Sequence, residues 1–331
     1  MQRFLNDPND MVDEYVDAYL MTHPLLARAE DNPRVVYRKD IADKVGIVSG
    51  GGSGHEPSFL GYLRPNMLDA AAVGEIFASP TPLSFLDAFR KADHGHGVAC
   101  LFGNYSGDMM NAKAGMLMAK DEGIDVKYVV SKDDIASAPA DMKDKRHGIA
   151  GLITMWIAGG QVAIHGGDVD AVCQAATEAR DNTRSVCVGL HELTIPAVGH
   201  PNFHIPDGEY EFGIGHHGES GIRNYKMQPA DGIAKRMTDA LVEDLGLKSG
   251  DEVFVMVSGL GATPLAEQYI MYRAVHKILA DQGIKVAFPH IGNLATSLNM
   301  NGIALTIEHL TPNLKKWTSA FEAKGTQVDG L

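Results

Sequence analysis

Short apolar runs alternate along the chain with longer amphipathic stretches. The apolar runs predict strands at Val45–Val48, Ala70–Val73, Gly97–Phe102, Val126–Val130, Val186–Gly189, Phe254–Val257 and Val286–Pro289. Helical periodicity falls between them at Pro82–Ala92, Asn111–Glu122, Gly148–Ala158, Asp168–Thr183, Gly232–Leu245 and Pro264–Asp281. Strand, turn and helix repeated in this order predict an α/β fold with a largely parallel sheet. Ligands of such sheets sit beyond the carboxyl ends of the strands, where the loops gather.

The glycine-rich stretches fall at those ends. Ile47-Val48 runs into SGGGSGHEP, Leu101-Phe102 into GNYSGD, and Val255-Met256-Val257 into SGLGATP. A length of 331 residues suits two units, each with its own core. Composition turns polar and proline-rich at HELTIPAVGHPNFHIPDGEYE, so the division is expected near residue 190, within about ten residues either way. The expected units are 1–190, with the SGGGSGH and GNYSGD loops, and 191–331, with the GHHGESG loop. Each is expected to have a parallel or mixed central sheet, with the ligand site at the glycine-rich strand ends between them.

Charge narrows the partners. The formal net charge is -13, which argues against a nucleic-acid binder needing a basic face. No apolar run approaches the roughly 20 residues that span a bilayer, and the acidic N-terminal stretch lacks a signal pattern. Three widely spaced cysteines, Cys100, Cys173 and Cys187, form no disulfide or metal framework and suit a reducing cytoplasm.

Four motifs carry candidate chemistry. SGGGSGHEP, Ser49–Pro57, lacks the GK[ST] of a Walker loop and the spacing of a dinucleotide fingerprint. Its glycines suit a backbone nest for a small polyol or phosphate, with His55 at its edge, or else a tight structural turn. In GNYSGDMMN, Asp108 suits a general base for a hydroxyl proton and equally a cap for a helix starting near Met109. GEIFASP reads mainly as a structural strand-to-helix turn, capped by Ser79 with Pro80 at the first helical position, and alternatively as a pocket wall. In GIGHHGESG, the backbone around His216 and His217 is thinned to glycine, as if something must approach an imidazole. A neutral imidazole is a good nucleophile. A zinc ligand or a structural pair are the alternatives. Adjacent histidines point apart in extended chain, however, and no HExxH or Cys/His cluster accompanies them.

Together the stretches VSGGGSGHEPSFLGY, GEIFASP, GNYSGDMMN, DDIA, HGIAG, EFGIGHHGESGI and LGATPLAE resemble the K subunit of dihydroxyacetone kinases, across nearly the whole chain. The resemblance implies a short ketose substrate whose carbonyl is attacked by the histidine of a G-x-H-G-E motif, forming a hemiaminal. That histidine matches His217, with His216 at the position before it. It also implies substrate contacts at Gly52, Ser53, Gly54, His55 and Asp108, with His55 and Asp108 activating and orienting the hydroxyl that accepts phosphate. Metal ligands and a cofactor on this chain are not implied. The family places ATP or ADP with Mg²⁺ on a separate L-type subunit or fused domain, and this chain shows no such region. In phosphotransferase-dependent systems a phosphohistidine protein is the donor. A homodimer is implied, and so, as an alternative function, is a ketose-sensing transcriptional co-activator. Two departures stand out. Gly103 replaces a common lysine and is expected to leave room for a longer ketose such as erythrulose. Ser220 replaces a common proline and is expected to loosen its turn.

Overall fold

A computed structural model describes residues 2–201 and 203–323. The first half contains α1 (Met11–Thr22), β1 (Leu26–Arg28), β2 (Val35–Arg38), β3 (Gly46–Ser53), β4 (Ala70–Ile76), α2 (Pro82–Ala92), β5 (Val98–Gly103), α3 (Ser106–Asp121), β6 (Val126–Ser131), α4 (Leu152–Ile164) and α5 (Val169–Asn182). The second contains β7 (Thr183–His191), β8 (Glu209–Phe212), β9 (Arg223–Lys226), α6 (Ala230–Leu245), β10 (Glu252–Gly259), α7 (Leu265–Asp281), β11 (Lys285–Gly292), β12 (Asn301–His309) and α8 (Pro312–Glu322).

Two six-stranded sheets result, ordered β1-β2-β4-β3-β5-β6 and β11-β10-β12-β7-β8-β9. Strands β4, β3, β5 and β6 run parallel, as the alternation of strand and helix predicts. The second sheet is mixed, within the expected range: β10–β11 is parallel, while the pairs of β12 with β10 and β7, and of β8 with β7 and β9, are antiparallel. Its β7–β8–β9 run has no helical crossover, so consecutive strands reverse direction. Strand β7 pairs within this second sheet, so the chain leaves the first sheet before Thr183. The polar stretch near residue 190 marks the loop after β7. One apolar cluster joins Ile47, Leu101 and Trp156 to Phe254, Met256 and Phe321, so the two halves share core.

Two helix starts also differ from expectation. Thr81 caps α2, its hydroxyl accepting from Ser84 N at 3.1 Å, with Pro82 first in the helix. Ser79 and Pro80 are therefore left outside it. Helix α3 begins at Ser106, so Asp108 lies inside the first turn rather than at a cap.

The glycine run of SGGGS is strand, not loop: β3 continues to Ser53, and within Gly50–Gly54 only Gly54 has a positive φ, at 105°. Its glycines are required by packing. A Cβ on Gly51 would sit 2.6 Å from the Phe59 ring, and one on Gly52 2.8 Å from Ala78 N. The chain thus brings backbone and aromatic rings against the strand where a side chain would hold them off.

Candidate active site

The carboxyl ends of β3 and β5, the start of α4, the 213–221 loop after β8 and the 293–300 connection before β12 surround a cavity of about 50 Å³. At about 10–15 Å³ per water, that is room for a few water-sized groups. The second half's connection is bonded directly to the end of β3: Leu298 N donates to Gly54 O at 2.7 Å, and Thr296 N to His55 O at 3.3 Å.

His55 and His217 come from opposite halves and meet Nε2 to Nε2 at 3.1 Å. Each ring is fixed at its other nitrogen by an acceptor. His55 Nδ1 faces the Thr296 carbonyl at 2.8 Å, and His217 Nδ1 faces Glu219 Oε1 at 2.9 Å. Both Nδ1 atoms must then carry hydrogen. Two bare Nε2 lone pairs cannot share a 3.1 Å contact, so one more proton lies between the rings. Desolvation, with the neighbouring His217 and His216, drives the His55 pKa well below its usual value. Burial alone would raise the Glu219 pKa, but its hydrogen bonds and charge interaction with His217 prevail and hold it at about 2. His55, which resists charge, is thus suited to accept at this contact, while His217 faces the ionised Glu219.

The glycines of the 213–221 loop make this geometry. Gly213 and Gly218 have φ of 83° and 78°. A Cβ on Gly215 would meet the Glu219 carboxylate at 2.2 Å. The loop thus folds Glu219 back beneath the ring two residues earlier, and His217 N donates to Glu219 Oε2 at 2.8 Å. Gly215 N donates to Glu219 O at 2.9 Å, and Gly218 N to Gly215 O at 3.1 Å.

Asp108 is 7% exposed, and its Oδ1 is buried without a partner. Burial raises its pKa to about 6, opposed by a hydrogen bond from Ser79 and by His217. A carboxylate poised there suits a base near neutral pH. Phe77 walls the site with its ring 5.1 Å from His55 and 4.8 Å from His217. Its φ of 55° is a strained value for a side chain with a Cβ. Tyr105 closes another side, 5.0 Å from the His217 ring.

Of the expected residues, Gly52, His55, Asp108 and His217 line the cavity. Ser53 and Gly54 do not. The Ser53 hydroxyl is turned into the sheet, donating to Gly74 O at 2.7 Å, and Gly54 serves through its backbone. Gly103 also lines the cavity, and a Cβ there would lie 3.2 Å from Gly148 O and from the Tyr105 ring. Among the described residues, no group of three or more His, Cys, Asp and Glu is placed to hold a metal. Glu219, Ser79, Thr296, Phe77 and the buried His216 were not singled out as site residues. Glu219 had a signal in the motif itself, a carboxylate two residues beyond the histidine across a glycine. Phe77 and Ser79 lie in the GEIFASP turn, and Thr296 is brought in by tertiary packing and had no signal.

A Dak1 domain model matches residues 17–325, and the chain belongs to that family. A relative from Listeria innocua, 41% identical over 318 residues, covers 95% of this chain and 96% of its own length; it is the dihydroxyacetone-binding subunit DhaK of a PTS-dependent dihydroxyacetone kinase. An L-erythrulose kinase of Pectobacterium atrosepticum is 34% identical over 100% of this chain, which spans 58% of that enzyme. A solved structure, a dihydroxyacetone kinase operon co-activator, superimposes with a TM-score of 0.87 at 32% identity over 92% of this chain and 94% of that one. The fold is that of this family. Among the described residues no helix is long and apolar enough to cross a membrane.

Proposed function

We propose that this chain is the ketose-binding subunit of a kinase acting on dihydroxyacetone or erythrulose. The observation that carries the reading is the His55–His217 contact, in which each ring's other nitrogen is already committed. His55 Nε2 takes the proton from His217 Nε2, freeing the lone pair. That lone pair attacks the ketose carbonyl carbon as the C=O π bond breaks, and His55 returns the proton to the new alkoxide. A neutral hemiaminal hydroxyl results. The His217 ring, now bonded to carbon at Nε2 and to hydrogen at Nδ1, keeps its positive charge against Glu219. Atoms and charge balance without a further reagent. Glycerol has no carbonyl and cannot enter this sequence, so capture supplies a selectivity that hydroxyl recognition alone would not.

Asp108 then accepts the proton of the terminal hydroxyl as phosphate is transferred. A nucleotide-binding L-type partner brings the phosphoryl group with Mg²⁺, as ATP or as ADP recharged by a phosphohistidine protein. The named role of the Listeria innocua relative, a binding subunit of a PTS-dependent kinase, supports that division of labour. A homodimer in the cytoplasm completes the reading, the latter on its three free cysteines.

The second reading, a ketose-sensing co-activator, has the superposition on the operon co-activator in its favour. Capture alone serves a sensor, which has no use for a base. The buried Asp108, with its pKa raised to about 6 beside the captured carbon's position, favours the kinase. Mixing the chain with an L-type partner, Mg²⁺, phosphoryl donor and ketose decides between them. Ketose phosphate supports the kinase, and adduct without phosphate supports the sensor.

A further inference from the structure

We propose that His216 is a specificity-determining residue of this cavity, its imidazole hydrogen-bonding a substrate hydroxyl other than the one facing Asp108. The inference rests on the capture reading above and extends it to the ketose's second arm.

His216 is 4% exposed, and its Nε2 is buried with no hydrogen-bond partner. The residue lines the same cavity as His55, Asp108 and His217. An apolar ring would fill that place without leaving a polar atom unpaired, a condition that buried groups rarely tolerate. The backbone gives it no route away, because its carbonyl is held by the Ser297 hydroxyl. The ring lies 5.5 Å from the His55 ring at 27°, which sets its plane. Asp108 Oδ1 is orphaned in the same way. Two unpaired polar atoms on residues lining one small cavity are complementary to a ligand with two hydroxyl groups, one on either side of the carbonyl that His217 attacks. Burial lowers the His216 pKa to about 4, so near neutral pH the ring is uncharged and can either donate to a hydroxyl or accept from one. The occupant is therefore a polyhydroxylated ketone rather than a simple one.

Hydroxyacetone provides the test, since it keeps the carbonyl and loses one hydroxyl. Adduct formation with dihydroxyacetone and with hydroxyacetone is titrated by native mass spectrometry on wild type, His216→Phe, His216→Leu and His216→Gln. Thermal unfolding identifies which variants are folded, and either apolar variant suffices. The wild-type preference for dihydroxyacetone should fall by about 5- to 140-fold in the apolar variants, the range for a lost hydrogen bond to a buried polar group, and recover in part in His216→Gln. An unaltered preference in a folded apolar variant, or equal weakening of both ketones, overturns the inference while leaving capture standing. Absence of any adduct on wild type overturns the capture reading and this inference with it.

Discussion

The two glycine-rich segments that deliver the histidines look alike in sequence and do opposite things. In SGGGSGH Gly50, Gly51 and Gly52 lie in a strand, where Gly51 and Gly52 admit Phe59 and the Phe77–Ala78 backbone. In GIGHHGESG they are turn residues, two with positive φ, that fold a carboxylate under its own histidine. The histidines differ accordingly. His55 is fixed by a neutral carbonyl and desolvated, so it resists charge. His217 is fixed by a carboxylate, which stabilises charge. On the capture reading proposed above, one imidazole serves as the acceptor and the other as the nucleophile, although they are 3.1 Å apart. Composition identifies where glycine is needed, and the neighbours decide why.

The sharpest break in this asymmetry is His217→Ala, which should remove the ketose adduct entirely while leaving the fold intact. Intact mass should then show no added ketose at any concentration, whereas His216→Ala should still form adduct. Next is Glu219→Gln, which keeps the shape and removes the counter-charge. Adduct formation should slow by up to ~10⁴-fold, the loss known when the carboxylate orienting a catalytic imidazole becomes an amide. A rate unchanged in stopped-flow would show that Glu219 merely shapes the turn.

Asp108→Asn should separate the two steps. Adduct should form as in wild type, while phosphoryl transfer with the L-type partner falls by ~10²–10⁴-fold. The same substitution has a stability signature. The folded pKa of Asp108 is about 6 against an unfolded value of 3.8, so the folded state binds the proton more tightly. Its favourable contribution is complete below pH 3.8 and is lost as pH rises through about 6. Asp108→Asn should therefore gain on wild type as pH rises across that window, approaching about 3 kcal/mol by pH 8 in chemical denaturation. A constant difference across the window would show that Asp108 is not held in this desolvated state.

The smallest effects should distinguish the two kinds of glycine. Gly52→Ala forces a methyl against the Ala78 backbone and should cost about 1–3 kcal/mol. Gly218→Ala strains one left-handed residue at about 1–2 kcal/mol and should slow capture more than it unfolds the chain. If Gly52→Ala proved the more damaging to capture per unit of lost stability, the contrast between strand and turn would fail.

Much of this was legible in the sequence. All seven expected strands form, because each is an apolar run with punctuation at its ends. Strand β12 escaped because Thr306 and Glu308 interrupt its apolar run, though both are buried. The four-residue β8 and β9 are too short to show a period. In the site, His55, Asp108 and His217 were readable from motif chemistry, and the structure gathers them around one cavity. Alternation along β3 turns the Ser53 hydroxyl to the sheet, a direction the glycine run conceals in the sequence. The Nδ1 partners give the two histidines different surroundings, and one of them, Thr296, lies 241 residues from His55 along the chain.

The central claim is that the ketose carbonyl carbon becomes bonded to His217 Nε2. It is tested most directly by NMR of carbonyl-¹³C dihydroxyacetone mixed with protein labelled with ¹⁵N at histidine. The bound carbonyl resonance should be replaced by that of a tetrahedral carbon coupled to one imidazole nitrogen, with the whole ketose retained and no water lost. His217→Ala should abolish that signal. A bound ketose whose carbon remains trigonal, or whose coupling survives in His217→Ala, would contradict it.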